Sequence, residues 1–217
     1  MSCDYVISGM RIIFLVIVNV SIERWKKQFE LWVEMKRRFS EQHEIDVMLL
    51  ECNKRGISCT ESFSPGIFQK TVQGLSMVQN KYDLYIRTNL STFFNIPVLF
   101  QFVELLKLDD RRPLYGGTYS FSWGVSGSGI FMNNLSVHLL LKHGFMRKYY
   151  MSSKPDDVVI GDIMKLERVS MDTRFPYMYM WENDRSFEQN MVVVSKSPYV
   201  RMKDAPIDVF RRLIQKT

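Results

Sequence analysis

Residues 11–19 read RIIFLVIVN, an unbroken apolar run between an arginine and an asparagine. Most of its members are β-branched, and the run is far too short for a membrane helix, which needs about 20 apolar residues. A run of this kind is expected as a strand buried on both faces. Ser21 can cap a helix starting near Ile22. In that helix Trp25, Phe29, Trp32, Val33 and Phe39 share one stripe, while Lys26, Lys27, Arg37 and Arg38 face away. Residues 44–51 (EIDVMLLE) then read as a second strand. Strand, helix, strand in that order predicts a parallel pair with a right-handed crossover, and so an α/β chain.

The pattern continues beyond this unit. A polar stretch over 52–65 precedes a helix over 66–80, followed by a third strand over 82–88 (YDLYIRT). Residues 95–108 form a helix with Pro97 in its first turn, where proline is tolerated. Residues 113–128 are rich in Gly, Ser and aromatics and suit short strands and loops. Helices are expected over 133–143, 155–169 and 208–216, and a short strand over 191–194 (MVVV). The composition shifts near residue 110, but neither half is self-sufficient. The expected organisation is a lead-in over 1–10 and one domain over 11–217, an α/β fold with a central mixed sheet flanked by helices.

Composition excludes several classes. With 46% hydrophobic residues and 15 Phe, 10 Tyr and 4 Trp, the chain has ample material for a core. Three cysteines, Cys3, Cys52 and Cys59, do not make a disulfide scaffold, and the odd count reads as a reducing compartment. No transmembrane segment and no convincing signal peptide is visible, so a cytoplasmic location is expected, and the sequons at Asn19, Asn89 and Asn134 are chance matches. The net charge of +6 favours an anionic partner without choosing among nucleotides, phosphosugars, nucleic acid and acidic membranes.

In an open α/β sheet, ligands sit at the carboxyl ends of the strands. Three such ends are readable: Val18-Asn19-Val20, the stretch from Glu51 to Arg55, and the stretch from Arg87 to Ser91. Cationic side chains and exposed N–H groups there suit a diphosphate. There is no GxGxxG and no GxxxxGK[ST]. The stretch from Gly124 to Gly129 (GVSGSG) misses the GxSxG nucleophile elbow, because Ser128 stands where its closing glycine would be. Neither the cysteines nor His43, His138 and His143 have zinc-site spacing. No RNP-type motif appears, so nucleic acid would rest on charge alone.

Three segments carry a family resemblance. Residues 82–94 (YDLYIRTNLSTFF), residues 123–130 (WGVSGSGI) and residues 155–161 (PDDVVIG) resemble, in order and spacing, segments of GT-A glycosyltransferases of the fringe and β-1,3-galactosyltransferase type. There they are the central strand with its metal motif, the Gly-rich acceptor-side strand, and the acidic pair. Pro65-Gly66-Ile67 followed by Lys70-Thr71, the run from Arg87 to Ser91, and Arg201-Met202-Lys203 resemble the small glycosyltransferases of chlorella-type algal viruses, which act in capsid glycosylation.

The resemblance implies transfer of a hexose or deoxyhexose from a UDP-sugar to a glycan or glycoprotein acceptor, with inversion, in the host cytoplasm if the chain is viral. Asp157, with Asp156 second, would be the general base; the other reading of this pair is a helix cap. Donor contacts would fall on Val18, Asn19, Arg55, Lys70, Arg87, Thr88, Asn89, Gly127, Ser128, Arg201 and Lys203. The other reading of Arg87 is a salt bridge on a sheet edge, and that of Arg201 and Lys203 is plain surface charge. One departure stands out. The family's Asp-x-Asp is here Asn89-Leu90-Ser91. Neutral oxygens bind Mn²⁺ or Mg²⁺ more weakly than carboxylates. The resemblance still implies Mn²⁺, or Mg²⁺, as cofactor, with Asn89 and Ser91 helping to hold an ion carried mainly by the diphosphate and waters. The alternative is that Arg87, Arg201 and Lys203 replace part of its role. A nucleotide-sugar-binding domain of a larger enzyme and a basic nucleic-acid-binding module are the alternatives.

Overall fold

The computed structural model describes residues 9–18, 25–39, 45–120, 124–181, 186–202 and 206–215. Ser21, Asn19, Trp123 and Lys203, all singled out above, lie outside the described residues.

The first unit forms as its pattern dictates. β1 (Ile12–Ile17) is buried along its whole length. Ile12, Phe14 and Val16 pack into one apolar cluster and Ile13, Leu15 and Ile17 into another. The two-residue period of a strand thus feeds two cores from one uninterrupted run. α1 (Lys26–Phe39) covers the first face through Leu31, Trp32 and Met35. Val33, assigned above to its buried stripe, is 43% exposed, because it lies a turn position away from the Leu31–Trp32–Met35 face. β2 (Ile45–Leu50) pairs parallel to β1.

α2 (Gly66–Val78) packs on the second face, and β3 (Leu84–Asn89) pairs parallel to β1 on its other side. β4 (Thr92–Phe94) follows after a two-residue turn, and α3 (Ile96–Leu106) places its proline in the first turn. β5 (Tyr115–Ser120) and β6 (Gly124–Met132) form an antiparallel hairpin, with β6 antiparallel to β3. α4 (Asn134–Gly144), capped by Asn133, the short α5 (Arg147–Tyr150) and α6 (Asp156–Leu166) follow. The main sheet is mixed, in the order β2-β1-β3-β6-β5.

The last segment holds β7 (Tyr179–Met180), α7 (Phe187–Val194), β8 (Tyr199–Arg201) and α8 (Ile207–Gln215). A second sheet runs β4-β8-β7. Residues 191–194, expected as a strand, are the last turn of α7. The Ser186 side chain accepts from the Gln189 N–H at 3.2 Å and starts the helix, and Val192 stays 54% exposed. A local cap overrides the β preference of three valines.

The cysteine reading needs correction. Cys52 and Cys59 form a disulfide that closes the loop after β2, with Cα atoms 5.3 Å apart. The pairing removes the thiol count as a reason to place the chain in a reducing compartment. Among the described residues no helix is long and apolar enough to cross a membrane.

Candidate active site

The carboxyl end of β3, the middle of β6, the first turn of α6 and the end of β8 meet around a cleft of about 290 Å³. Its polar lining includes Arg87, Asn89, Ser128, Asp157 and Arg201. The register explains the meeting. Arg87 lies opposite Ile130 and Thr88 opposite Gly129 across the β3–β6 pair, while Arg201 lies opposite Thr92 across β4–β8.

Arg87 is the buried centre of the site, only 1% exposed. Its Nη2 contacts Asp156 Oδ2 at 2.5 Å. Its Nη1 donates to the Gly127 carbonyl and, at 3.1 Å, to Asn89 Oδ1. Nε has no hydrogen-bond partner among the described residues. Arg87 does form an ion pair, but inside the fold on the central strand of the sheet and not at a sheet edge. The absent side chain of Gly127 makes room for this guanidinium: a Cβ there would stand 2.7 Å from Nη1.

The two aspartates differ although they are neighbours. Asp156 points inward. Burial pushes its carboxyl up; Arg87 opposes that shift, and the charge of Asp157 adds to it. Asp157 is partly exposed on the cleft. It accepts from the Gly127 N–H at 3.2 Å and from the Val158 N–H at 2.9 Å. Each of its oxygens thus holds one backbone donor and keeps a lone pair for another proton. Asp157 also lies in the first turn of α6, one position inside the helix from Asp156, and its bond from the Val158 N–H belongs to that turn.

Arg201 reaches Ser128, donating from Nη1 to Oγ. Burial first, and then the like charge of Arg87, pull its guanidinium below the usual value. Thr88 and Thr92 are fully buried and donate to the Ser128 carbonyl at 2.7 and 2.8 Å. They hold the β6 backbone; Thr88 does not face the cleft.

Other expected donor contacts lie elsewhere. Lys70 is fully buried on α2, and its Nζ donates to the Val18 carbonyl and to Glu61. It ties the end of β1 to α2, which occupies the Val18 oxygen. Arg55 is exposed in the disulfide-closed loop, near Lys36 of α1 and away from the cleft. Phe63, which the sequence reading passed over, lines the cleft and is 68% exposed. Its only sequence signal was an aromatic ring in an otherwise polar stretch.

The donor set does not suit a divalent ion. Asn89 Oδ1 already accepts from Arg87. Ser91 is 4% exposed, off the cleft, and its carbonyl accepts from the Met202 N–H at 2.7 Å. Among the described residues no group of three His, Cys, Asp or Glu side chains could hold a metal. The expected pair of neutral metal ligands is thus not assembled.

No protein-family model matches the sequence, and no curated protein matches it. Solved structures do. The chain superposes on a glycosyltransferase involved in glycosylation of the major capsid of PBCV-1 with a TM-score of 0.57, at 12% identity, covering 95% of this chain and all of that one. The fold is that of a GT-A glycosyltransferase. Weaker similarities include the glycosyltransferase GlyE of Streptococcus pneumoniae TIGR4 (TM-score 0.49, 10% identity, 95% of this chain and 60% of that one) and mouse xyloside xylosyltransferase 1 (TM-score 0.45, 9% identity, 88% and 97%).

Proposed function

We propose that this GT-A chain transfers a hexose or deoxyhexose from a UDP-sugar to a hydroxyl of a glycan or glycoprotein, with Asp157 as general base. The observation that carries the reading is the split of the acidic pair. Asp156 is committed to Arg87, whereas Asp157 is held by two backbone donors on the open side of the same cleft. A carboxylate so fixed can take the acceptor hydroxyl proton as the oxygen bonds to the anomeric carbon and the bond to the diphosphate breaks. The reaction so drawn inverts the anomeric centre. Arg201 and Ser128 would face the donor across the cleft. The capsid role of the PBCV-1 enzyme makes a capsid glycoprotein the acceptor to try first, and host cytoplasm the compartment.

Asp157→Asn tests this reading. Asparagine keeps the size of aspartate and one oxygen to accept from the backbone N–H groups, so stability should fall by only about 1 kcal/mol. Loss of a general base should slow transfer by about 10²–10⁴-fold, with UDP-sugar binding retained. Radiolabelled transfer beside a thermal melt measures both. Near wild-type transfer would move the proton acceptor elsewhere and leave Asp157 with its bonds to the backbone of β6 and α6 only.

A further inference from the structure

The central strand of this fold ends, in this chain, in two neutral side chains and a buried arginine. Arg87 fills the space beside Asn89 with positive charge and has Asp156 as its counter-ion. Arg201 is different. Among the described residues its side chain is held by the Ser128 hydroxyl and by no carboxylate. It lines the same cleft as Arg87, half-buried, close enough to feel the like charge. Two guanidinium groups and two carboxylates line one cleft. Asp156 is taken by Arg87 and Asp157 by backbone N–H groups, which leaves Arg201, among the described residues, as the cation with no carboxylate partner and a fork open to an anion. A guanidinium fork matches phosphate oxygens in shape as well as charge.

We propose that the donor's diphosphate is neutralised in this chain by Arg201, backed by Arg87, and that no divalent ion takes part in binding it. The inference rests on the UDP-sugar reading above and assigns the electrostatics of that same site. Ser128 sets the direction of Arg201, and the Ser128 carbonyl is itself fixed by Thr88 and Thr92. The cation is thus mounted on a rigid strand and needs no ion to order it. The neutral Asn89 follows from the same logic: a carboxylate at this position, beside Arg87, would compete with the ligand for that guanidinium.

Calorimetric titration of UDP and of uridine, each in EDTA and in Mn²⁺, tests the proposal. UDP affinity should agree within about twofold between EDTA and Mn²⁺. Arg201→Gln should weaken UDP binding in EDTA by about ten- to a hundredfold, the loss expected for a charge-assisted hydrogen bond. It should leave uridine binding unchanged, and Arg201→Lys should fall between. UDP binding that appears only with Mn²⁺ would overturn the proposal while keeping the UDP-sugar reading. Unchanged UDP affinity in Arg201→Gln would also overturn it. Failure of UDP to bind in either buffer would sink both. If Arg201→Gln does not fold, the two wild-type titrations still decide.

Discussion

The two halves of the main sheet are built on opposite principles. The parallel half, β2-β1-β3, is stabilised by large side chains: Phe14 lies 4.9 Å from the Phe94 ring and 5.6 Å from Trp32, ring centre to ring centre. The antiparallel half, β6-β5, depends on atoms being absent. A Cβ on Gly116 would stand 2.0 Å from the Phe175 ring, and one on Gly117 would stand 2.0 Å from the Gly129 carbonyl. The parallel half supplies an anchor, while the antiparallel half brings backbone close enough for Arg87, Ser128 and Asp157 to meet. Removing atoms should therefore damage one half, and adding them should damage the other.

The largest effect is expected in the parallel half. Phe14→Ala removes a fully buried ring from the centre of an aromatic cluster and should cost about 3–5 kcal/mol in urea unfolding. A cost under about 1 kcal/mol would mean that the cluster re-forms without it, and the contrast between the halves would weaken.

A pair of glycines sharpens the other side. Gly117 has φ of +143°, a conformation that side chains rarely adopt, besides its close approach to Gly129. Gly117→Ala should cost about 1–3 kcal/mol. Gly129→Ala is the control on the facing strand. Its Cβ would meet only ordinary contacts at 3.7 Å or more, so stability should change by less than about 1 kcal/mol. Equal losses at both positions would show that strand glycines matter here for flexibility and not for close approach.

The same contrast explains what could be read in advance. β1, β2, α2 and β3 were legible because burial on two faces imposes apolar runs, and an amphipathic stripe imposes its period. The second sheet was not. β4, β7 and β8 are two or three residues long, too short for a period to register, and β4 pairs with β8 across more than a hundred positions of sequence. At the site, Arg87, Asn89, Ser128, Asp157 and Arg201 were all named from the sequence, and the cleft brings them together. Arg55 and Lys70 lie away from the cleft: charge near a strand end does not say which way Arg55 points, and a motif resemblance does not say which way Lys70 points on α2. Lys70 turned inward because the Val18 carbonyl and Glu61 could satisfy it there. The Cys52–Cys59 bond was missed because an odd count was taken to describe every cysteine.

The smallest effect concerns pH, and it tests whether the antiparallel half holds its charge against burial. Burial raises the Asp156 carboxyl, Arg87 counters it, and Asp157 adds to the rise. The folded chain therefore keeps this proton to a higher pH than the unfolded chain, whose aspartates titrate near ~3.9. Between that value and the folded one the native state binds more protons, so this group's contribution to stability falls as pH rises. It is full below the unfolded value and gone above the folded one. Asp172 works the other way. Hydrogen bonds from Arg174 pull its carboxyl down, so its contribution is lost as pH falls through the acid range. The wild-type profile mixes both signs. Subtracting the Asp156→Asn profile isolates the first, because Asp172 is common to both proteins. Urea midpoints taken from pH 4 to pH 7 should show the wild type losing stability relative to Asp156→Asn as pH increases. Parallel profiles would mean that Arg87 cancels the burial, and that this half holds its buried pair at no electrostatic cost. A slope of opposite sign would mean that the arginine outweighs burial.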